Sequence, residues 1–202
     1  MLVLASASPR RRELLTQAGF RFDVAPADIP EVRAADEDPI GFASRLARQK
    51  ADTVFAARSN AHLRGDQPLL VLGADTIVVV DDCVLGKPSS PADAARMLQL
   101  LGGRTHSVIT GVSLIGEGCE ETAAAVTYVS VQTLSITEIE AYVATGEPLD
   151  KAGAYGIQGY AARWIPHIQG CYFNVVGLPI SLVTSMIEGA RVRLGRSRSH
   201  AV

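Results

Sequence analysis

Asp75 is the only charged side chain in the twelve-residue apolar run from Leu69 to Val80. Burying a carboxylate in such a run is costly unless it is paired, hydrogen-bonded or bound to a metal, which makes Asp75 the first candidate for a catalytic group. The plainer alternative ends the strand at Gly73 and lets Asp75 begin a turn, yet Thr76 to Val80 at once resume β-branched strand character. A second anomaly lies at the start of the chain, where Ser6-Ala7-Ser8-Pro9-Arg10-Arg11-Arg12 follows the apolar Leu2 to Ala5. Serine is a good N-cap and proline a good first helical residue. Arginines in a first turn face the positive end of the helix dipole, so their charge has the wrong sign. Free backbone N–H groups, the hydroxyls of Ser6 and Ser8 and the guanidinium forks of Arg10 and Arg11 together suit a polyphosphate. The plainer alternative is a solvated basic helix start paired with nearby acids.

Four further residues could take part. Lys50 falls on the apolar stripe formed by residues 43, 46, 47, 51 and 54 of a helix, where a lysine either snorkels to water or points inward to meet phosphate. Lys87, between Gly86 and Pro88, reads on its own as an exposed lysine. Glu31 is a loop acid whose closeness to Asp28 and to prolines hints at a metal ligand. Gln158, in Gly156-Ile157-Gln158-Gly159, has an amide that can match the imide edge of uracil or thymine with two hydrogen bonds. Flipped, it suits cytosine, so its neighbours must fix it. No G-x-x-x-x-G-K-[ST] occurs and no G-x-G-x-x-G follows the first strand, which argues against a P-loop and a dinucleotide fold. The four histidines lack metal spacing, and no Ser/His/Asp order suggests acyl transfer.

The elements needed to position these residues are legible in outline. A strand over Leu2–Ala5, a helix from Pro9 to Gly19 and a short strand over Arg21–Ala25 open an α/β pattern. An acidic loop leads to a helix over Pro39–Arg58, then a polar connection, then the central strand over 69–80. Asp81-Asp82 turns the chain into a hairpin arm. A helix over Ser90–Leu101, two long strands over Thr105–Ile115 and Thr122–Thr133, and a helix opened by the capping-box pattern Ser135-Ile136-Thr137-Glu138 follow. Residues 146–159 read as a glycine-rich loop, and a last helix covers Ile180–Leu194. The basic stretch 195–202 reads as a disordered tail after a single domain over 1–194. With 202 residues, a net charge of −2 and 20% charged side chains, any grip on an anion must be local rather than global. Three scattered cysteines and the lack of a long apolar segment point to a cytoplasmic protein with no membrane association.

Taken in order, Ala5-Ser6-Ala7-Ser8-Pro9-Arg10-Arg11, Leu46 to Ala51, Gly73-Ala74-Asp75-Thr76, Gly86-Lys87-Pro88, Asp150 to Gly159 and Val176-Gly177-Leu178-Pro179 resemble the Maf family of nucleoside triphosphate pyrophosphatases from residue 2 to about 190. The resemblance implies a mixed α/β fold similar to the inosine triphosphate pyrophosphatases, with a twisted sheet and flanking helices in two lobes around a cleft, often as a homodimer. It also implies hydrolysis of a nucleoside triphosphate to monophosphate and pyrophosphate with a divalent cation, Mg²⁺ or Mn²⁺. Arg10, Thr76 and Gln158 match the selectivity positions of the branch acting on dTTP and UTP. The branch acting on 7-methyl-GTP carries Trp, Gln and Glu there, and this chain departs from it at all three. On this resemblance Asp75 is the catalytic residue, Ser6, Ser8, Arg11, Lys50 and Lys87 meet phosphate, and Glu31 joins Asp75 at the metal. Two rival readings are 7-methyl-GTP hydrolysis and a non-enzymatic, nucleic-acid-binding regulator of septum formation; the net negative charge opposes the second. No stable nucleic-acid partner is expected.

Overall fold

The computed structural model describes residues 1–62 and 68–199. Seven strands form one mixed sheet in the order β2-β1-β3-β5-β6-β7, with β4 paired to β3. These are β1 (Leu2–Leu4), β2 (Asp23–Val24), β3 (Leu70–Val80), β4 (Cys83–Leu85), β5 (Thr105–Gly116), β6 (Cys119–Ser130) and β7 (His167–Gln169). The helices are α1 (Pro9–Gln17), α2 (Pro39–His62), α3 (Pro91–Leu101), α4 (Ile136–Ala144), α5 (Tyr172–Val176) and α6 (Ile180–Ser199). The chain divides into two compact units, one of residues 1–75, 110–125 and 177 onward, the other of residues 76–109 and 126–176. The division falls within β3, immediately after Asp75.

In the first unit, β1 lies parallel to both neighbours, with Val3 beside Val71 on one side and Asp23 on the other. Its residues are wholly buried, as expected of a strand covered on both faces. α1 starts as its sequence predicts, with Ser8 accepting the Arg11 N–H as N-cap and Leu14 and Leu15 turned inward. α2 carries Ala43, Ala47 and Ala51 on one buried face, four residues apart. That spacing of small side chains lets the helix backbone rest on the sheet. A Cβ at Gly73 would lie 2.1 Å from the Ala47 carbonyl oxygen, and one at Gly111 would lie 2.3 Å from that of Ala43. Val3, Ala51, Val54, Leu69, Val71 and Ile115 fill the core around this contact.

In the second unit, the β3–β4 hairpin turns through Asp81 and Asp82, whose φ angles of 47° and 63° are those of a tight two-residue turn that follows strand twist. Ser90 caps α3 by accepting the Asp93 N–H. Ser135 and Glu138 form the complete capping box of α4. Met97, Leu98, Leu101, Val108, Tyr142 and Trp164 are prominent in the core. His106 is buried there, sharing a 2.8 Å hydrogen bond between its Nε2 and the Tyr155 hydroxyl. Burial pushes the His106 imidazole down to about 4.

Several boundaries differ from the sequence expectation. β7 and α5 fall where no element was expected; at three and five residues they are too short to carry a periodic signal. The stretch 146–159 contains two 3₁₀ turns, Glu147–Asp150 and Ala152–Ala154, and a third follows at Tyr160–Trp164. α2 runs four residues past Arg58 to His62, there being no glycine or proline to stop it. α6 runs past Leu194 to Ser199, because a lone glycine such as Gly195 weakens a helix by about 1 kcal/mol without ending it. Residues 63–67 of the expected connection and 200–202 of the expected tail lie outside the described residues.

Two outcomes test this packing. Gly73→Ala is expected to lower the unfolding free energy by about 2–3 kcal/mol in urea titrations, whereas Gly86→Ala, where an added Cβ meets nothing within 4 Å, should leave it nearly unchanged. For His106, the unfolded chain binds the extra proton between about pH 6.5 and 4 while the folded one does not. Stability is therefore full above 6.5 and falls as the pH drops through that window, by about 3 kcal/mol in total. Unfolding free energies compared at steps from pH 7 to 4 should show a shallower decline in His106→Gln.

Candidate active site

The first unit gathers seven of the ten expected site residues: Ser6, Ser8, Arg10, Arg11, Glu31, Lys50 and Asp75. β1 delivers Ser6 and Ser8 to the head of α1, and β3 delivers Asp75. Ser6 Oγ accepts the Ser8 backbone N–H at 3.2 Å and the Arg11 Nη1 at 3.1 Å. The same Nη1 donates to the Ala74 carbonyl at 2.8 Å, and Arg11 Nε donates to the Gly177 carbonyl at 2.8 Å. Arg11 thus ties three distant segments together: the head of α1, the residue before Asp75, and the loop before α6. Burial pushes the Arg11 guanidinium below its ordinary value, and the charge of Asp75 opposes that fall. Arginine remains charged through such a shift. The sequence marks Arg11 only as a phosphate contact; its clamping role needed the fold. Arg10 is half-buried beside it, and Arg12 is exposed.

Asp75 is buried, and Lys50 Nζ donates to its Oδ1 at 2.5 Å. The same ammonium donates to Glu31 Oε1 at 2.6 Å. Side-chain exposures of 9% for Asp75, 10% for Lys50 and 55% for Glu31 order the three from the interior towards solvent. Lys50 therefore does not snorkel outward. Its place on the apolar stripe of α2 is explained by the seating of α2 on Gly73, two residues from Asp75. The pair exchanges hydration for a short ionic hydrogen bond, which compensates burial only when the geometry is good.

Two carboxylates that converge on one ammonium are arranged as they would be around a cation. Among the described residues no group of three or more His, Cys, Asp or Glu side chains could enclose a metal. A pair of carboxylates nonetheless fits a magnesium-like ion that takes its other ligands from phosphate oxygens and water.

The second unit holds the remaining three. Thr76 follows Asp75 directly on β3 and is partly buried. Lys87 is exposed after β4. Gln158 is exposed in a turn closed by the Gly159 N–H on the Gly156 carbonyl at 3.0 Å. The sequence reading passed over Tyr142 and Glu147, which lie beneath this turn. Tyr142 donates its hydroxyl to Glu147 Oε1 at 3.0 Å and accepts the Gly156 N–H at 3.3 Å. Burial, then Glu147, pushes the Tyr142 phenol well above its ordinary value, so it stays a donor. A glutamate following Thr145-Gly146 is an ordinary loop acid to the eye, which is why no signal singled it out.

A family model described as Maf-like protein matches residues 1–190. The chain is 53% identical over 191 residues to the dTTP/UTP pyrophosphatase of Koribacter versatilis (strain Ellin345), covering 95% of each. It is 52% identical to that of Moorella thermoacetica, over 92% of this chain and 93% of the relative. It is 46% identical to that of Bacillus pumilus, over 93% and 95%. Among solved structures, the Staphylococcus aureus Ham1 protein aligns with 94% of this chain and 98% of its own, at 14% identity and a TM-score of 0.46.

The ion pair makes a stability prediction that needs no substrate. Lys50→Met leaves Asp75 buried without its ammonium and is expected to cost about 3–5 kcal/mol in equilibrium unfolding. Lys50→Met with Asp75→Asn removes both charges and should recover a substantial part of that loss. A double variant no more stable than Lys50→Met would mean that the two charges are not coupled.

Proposed function

We propose that this chain, which belongs to the family of Maf-like proteins, hydrolyses dTTP and UTP to the nucleoside monophosphate and pyrophosphate. Such an activity keeps these nucleotides, and modified pyrimidine relatives, out of nucleic acids. The observation that carries the reading is the buried Lys50–Asp75 pair with Glu31 at its outer side. A buried pair that reaches solvent through a half-exposed carboxylate suits a centre that must handle phosphate and water at once. Matching residues at Arg10, Thr76 and Gln158, and relatives named for dTTP and UTP, support the pyrimidine assignment.

In this reading the head of α1 receives the triphosphate. Backbone N–H groups of the first turn, the Ser6 and Ser8 hydroxyls and Arg10 bind its oxygens, while Arg11 holds that turn in shape and adds positive charge. Lys50 and Lys87 neutralise charge that accumulates on the phosphate oxygens in the transition state. Asp75 orients the attacking water and accepts its proton as the oxygen bonds to the α-phosphorus and the link to the β-phosphate breaks. A divalent cation, held by Asp75 and Glu31, would supply further neutralisation of phosphate charge. Gln158 and Thr76 discriminate the base. Three free cysteines, one of them exposed, accord with a reducing cytoplasm. A homodimer is the proposed assembly. No helix among the described residues is long and apolar enough to cross a membrane.

Pyrophosphate release across dTTP, UTP, CTP and 7-methyl-GTP, with Mg²⁺ or Mn²⁺ present, tests the assignment; dTTP and UTP should be turned over best. Asp75→Asn should lower kcat by about a hundredfold or more while calorimetric binding of a non-hydrolysable UTP analogue stays within a few-fold. Near-normal turnover in that variant would remove Asp75 from the chemistry.

A further inference from the structure

The amide of Gln158 is suited to read the imide edge of uracil or thymine only if it is presented one way round, because its flipped form suits cytosine. Among the described residues no side-chain hydrogen bond fixes that amide. The angle at which the side chain can meet a base edge is set by the backbone of the turn from Gly156 to Gly159, and that turn is held at both ends. At its start, the Gly156 N–H donates to the Tyr142 hydroxyl at 3.3 Å. At its end, Glu147 Oε2 accepts the Tyr160 N–H at 3.2 Å, and a Cβ on Gly159 would lie 1.9 Å from Glu147 Oε1. The two supports are joined, since Tyr142 donates to Glu147 Oε1 at 3.0 Å.

The supports are themselves braced. Lys151 Nζ donates to the Glu147 carbonyl and to Asp150 at 2.6 and 2.7 Å. The Tyr142 ring stacks on that of Tyr160, with centroids 5.5 Å apart and planes 16° apart. The Arg163 guanidinium lies 3.7 Å over the Tyr160 ring. Tyr142 comes from α4 and Glu147 from the 3₁₀ turn after it, so the brace is anchored in regular structure rather than in the turn it holds.

We propose that Tyr142 and Glu147 are positioning residues that set base selectivity by fixing the angle at which the turn presents Gln158. The proposal rests on the pyrimidine reading above, with Gln158 touching the base and the pair beneath acting only through it. Losing one hydrogen bond of the brace lets the turn tilt, which weakens the two-bond match to the uracil imide and narrows the margin over cytosine.

The test compares kcat/KM for UTP and CTP, by pyrophosphate release, in the wild type, Tyr142→Phe, Glu147→Gln, Glu147→Ala and Gln158→Ala. Tyr142→Phe keeps the ring stack and loses one hydroxyl. It should reduce the preference for UTP over CTP about three- to tenfold, the scale of one hydrogen bond, through a higher KM for UTP with kcat within about twofold. Glu147→Ala should reduce it at least as much, and Glu147→Gln, which keeps one acceptor oxygen, should fall between. An unchanged UTP-to-CTP ratio in Tyr142→Phe overturns the proposal, as does an equal loss on both nucleotides, which is what a merely structural role predicts. Thermal midpoints identify a Glu147 variant that fails to fold, and Tyr142→Phe then decides alone. Gln158→Ala with an unchanged ratio overturns the base-reading role itself, a failure distinct from that of the brace.

Discussion

The seating of α2 directly on the sheet is the constraint from which the candidate site follows. Helices usually rest on sheets through a layer of side chains, and most residues at the contact would hold the backbones apart. Here the Ala43, Ala47 and Ala51 face of α2 meets Gly73 and Gly111, and the carbonyls of the helix occupy the space where two Cβ atoms would be. Close approach at Gly73 brings Lys50 to Asp75, two residues further along β3, within a short hydrogen bond. Had the helix stood off by the thickness of a side-chain layer, the ammonium could not have reached the carboxylate. A small-residue face therefore positions the candidate site as well as packing the core.

The same geometry explains how a strand as apolar as β3 tolerates an acid. Lys50 supplies the opposite charge from one side. From the other, Arg11 donates to the Ala74 carbonyl and lends its field to Asp75. Glu31, more exposed than either partner, shares the ammonium and leaves it with two carboxylates to serve. Such a group is closed on itself at its buried end, between Lys50 and Asp75, and reaches the surface through Glu31.

Much of this was legible in the chain before its fold. The caps at Ser8, Ser90 and Ser135, the Asp81-Asp82 turn and the central strand all follow from local preferences that act within a few residues. Asp75 could be picked out because a lone charge in an apolar run is costly wherever the strand ends up. β7 and α5 were hidden because three to five residues carry no period, and their stability comes from partners distant in sequence, as when Ile168 pairs with Val129.

What the sequence determined by itself, then, was the set of reactive groups and the elements that carry them. Propensity, capping and hydrophobic periodicity are short-range, and each leaves its mark in neighbouring residues. What only the tertiary structure decided was who meets whom. Lys50 could equally have snorkelled to solvent, and Arg11 could have stood open at the head of α1. The first was settled by a helix resting on glycine 73, the second by carbonyls at positions 74 and 177. Glu147 and Tyr142 acquire their place under Gln158 in the same manner, through hydrogen bonds spanning 13 and 14 residues. Those partners are chosen by chain topology and close packing, which depend on the whole fold and leave no pattern in any local stretch of sequence.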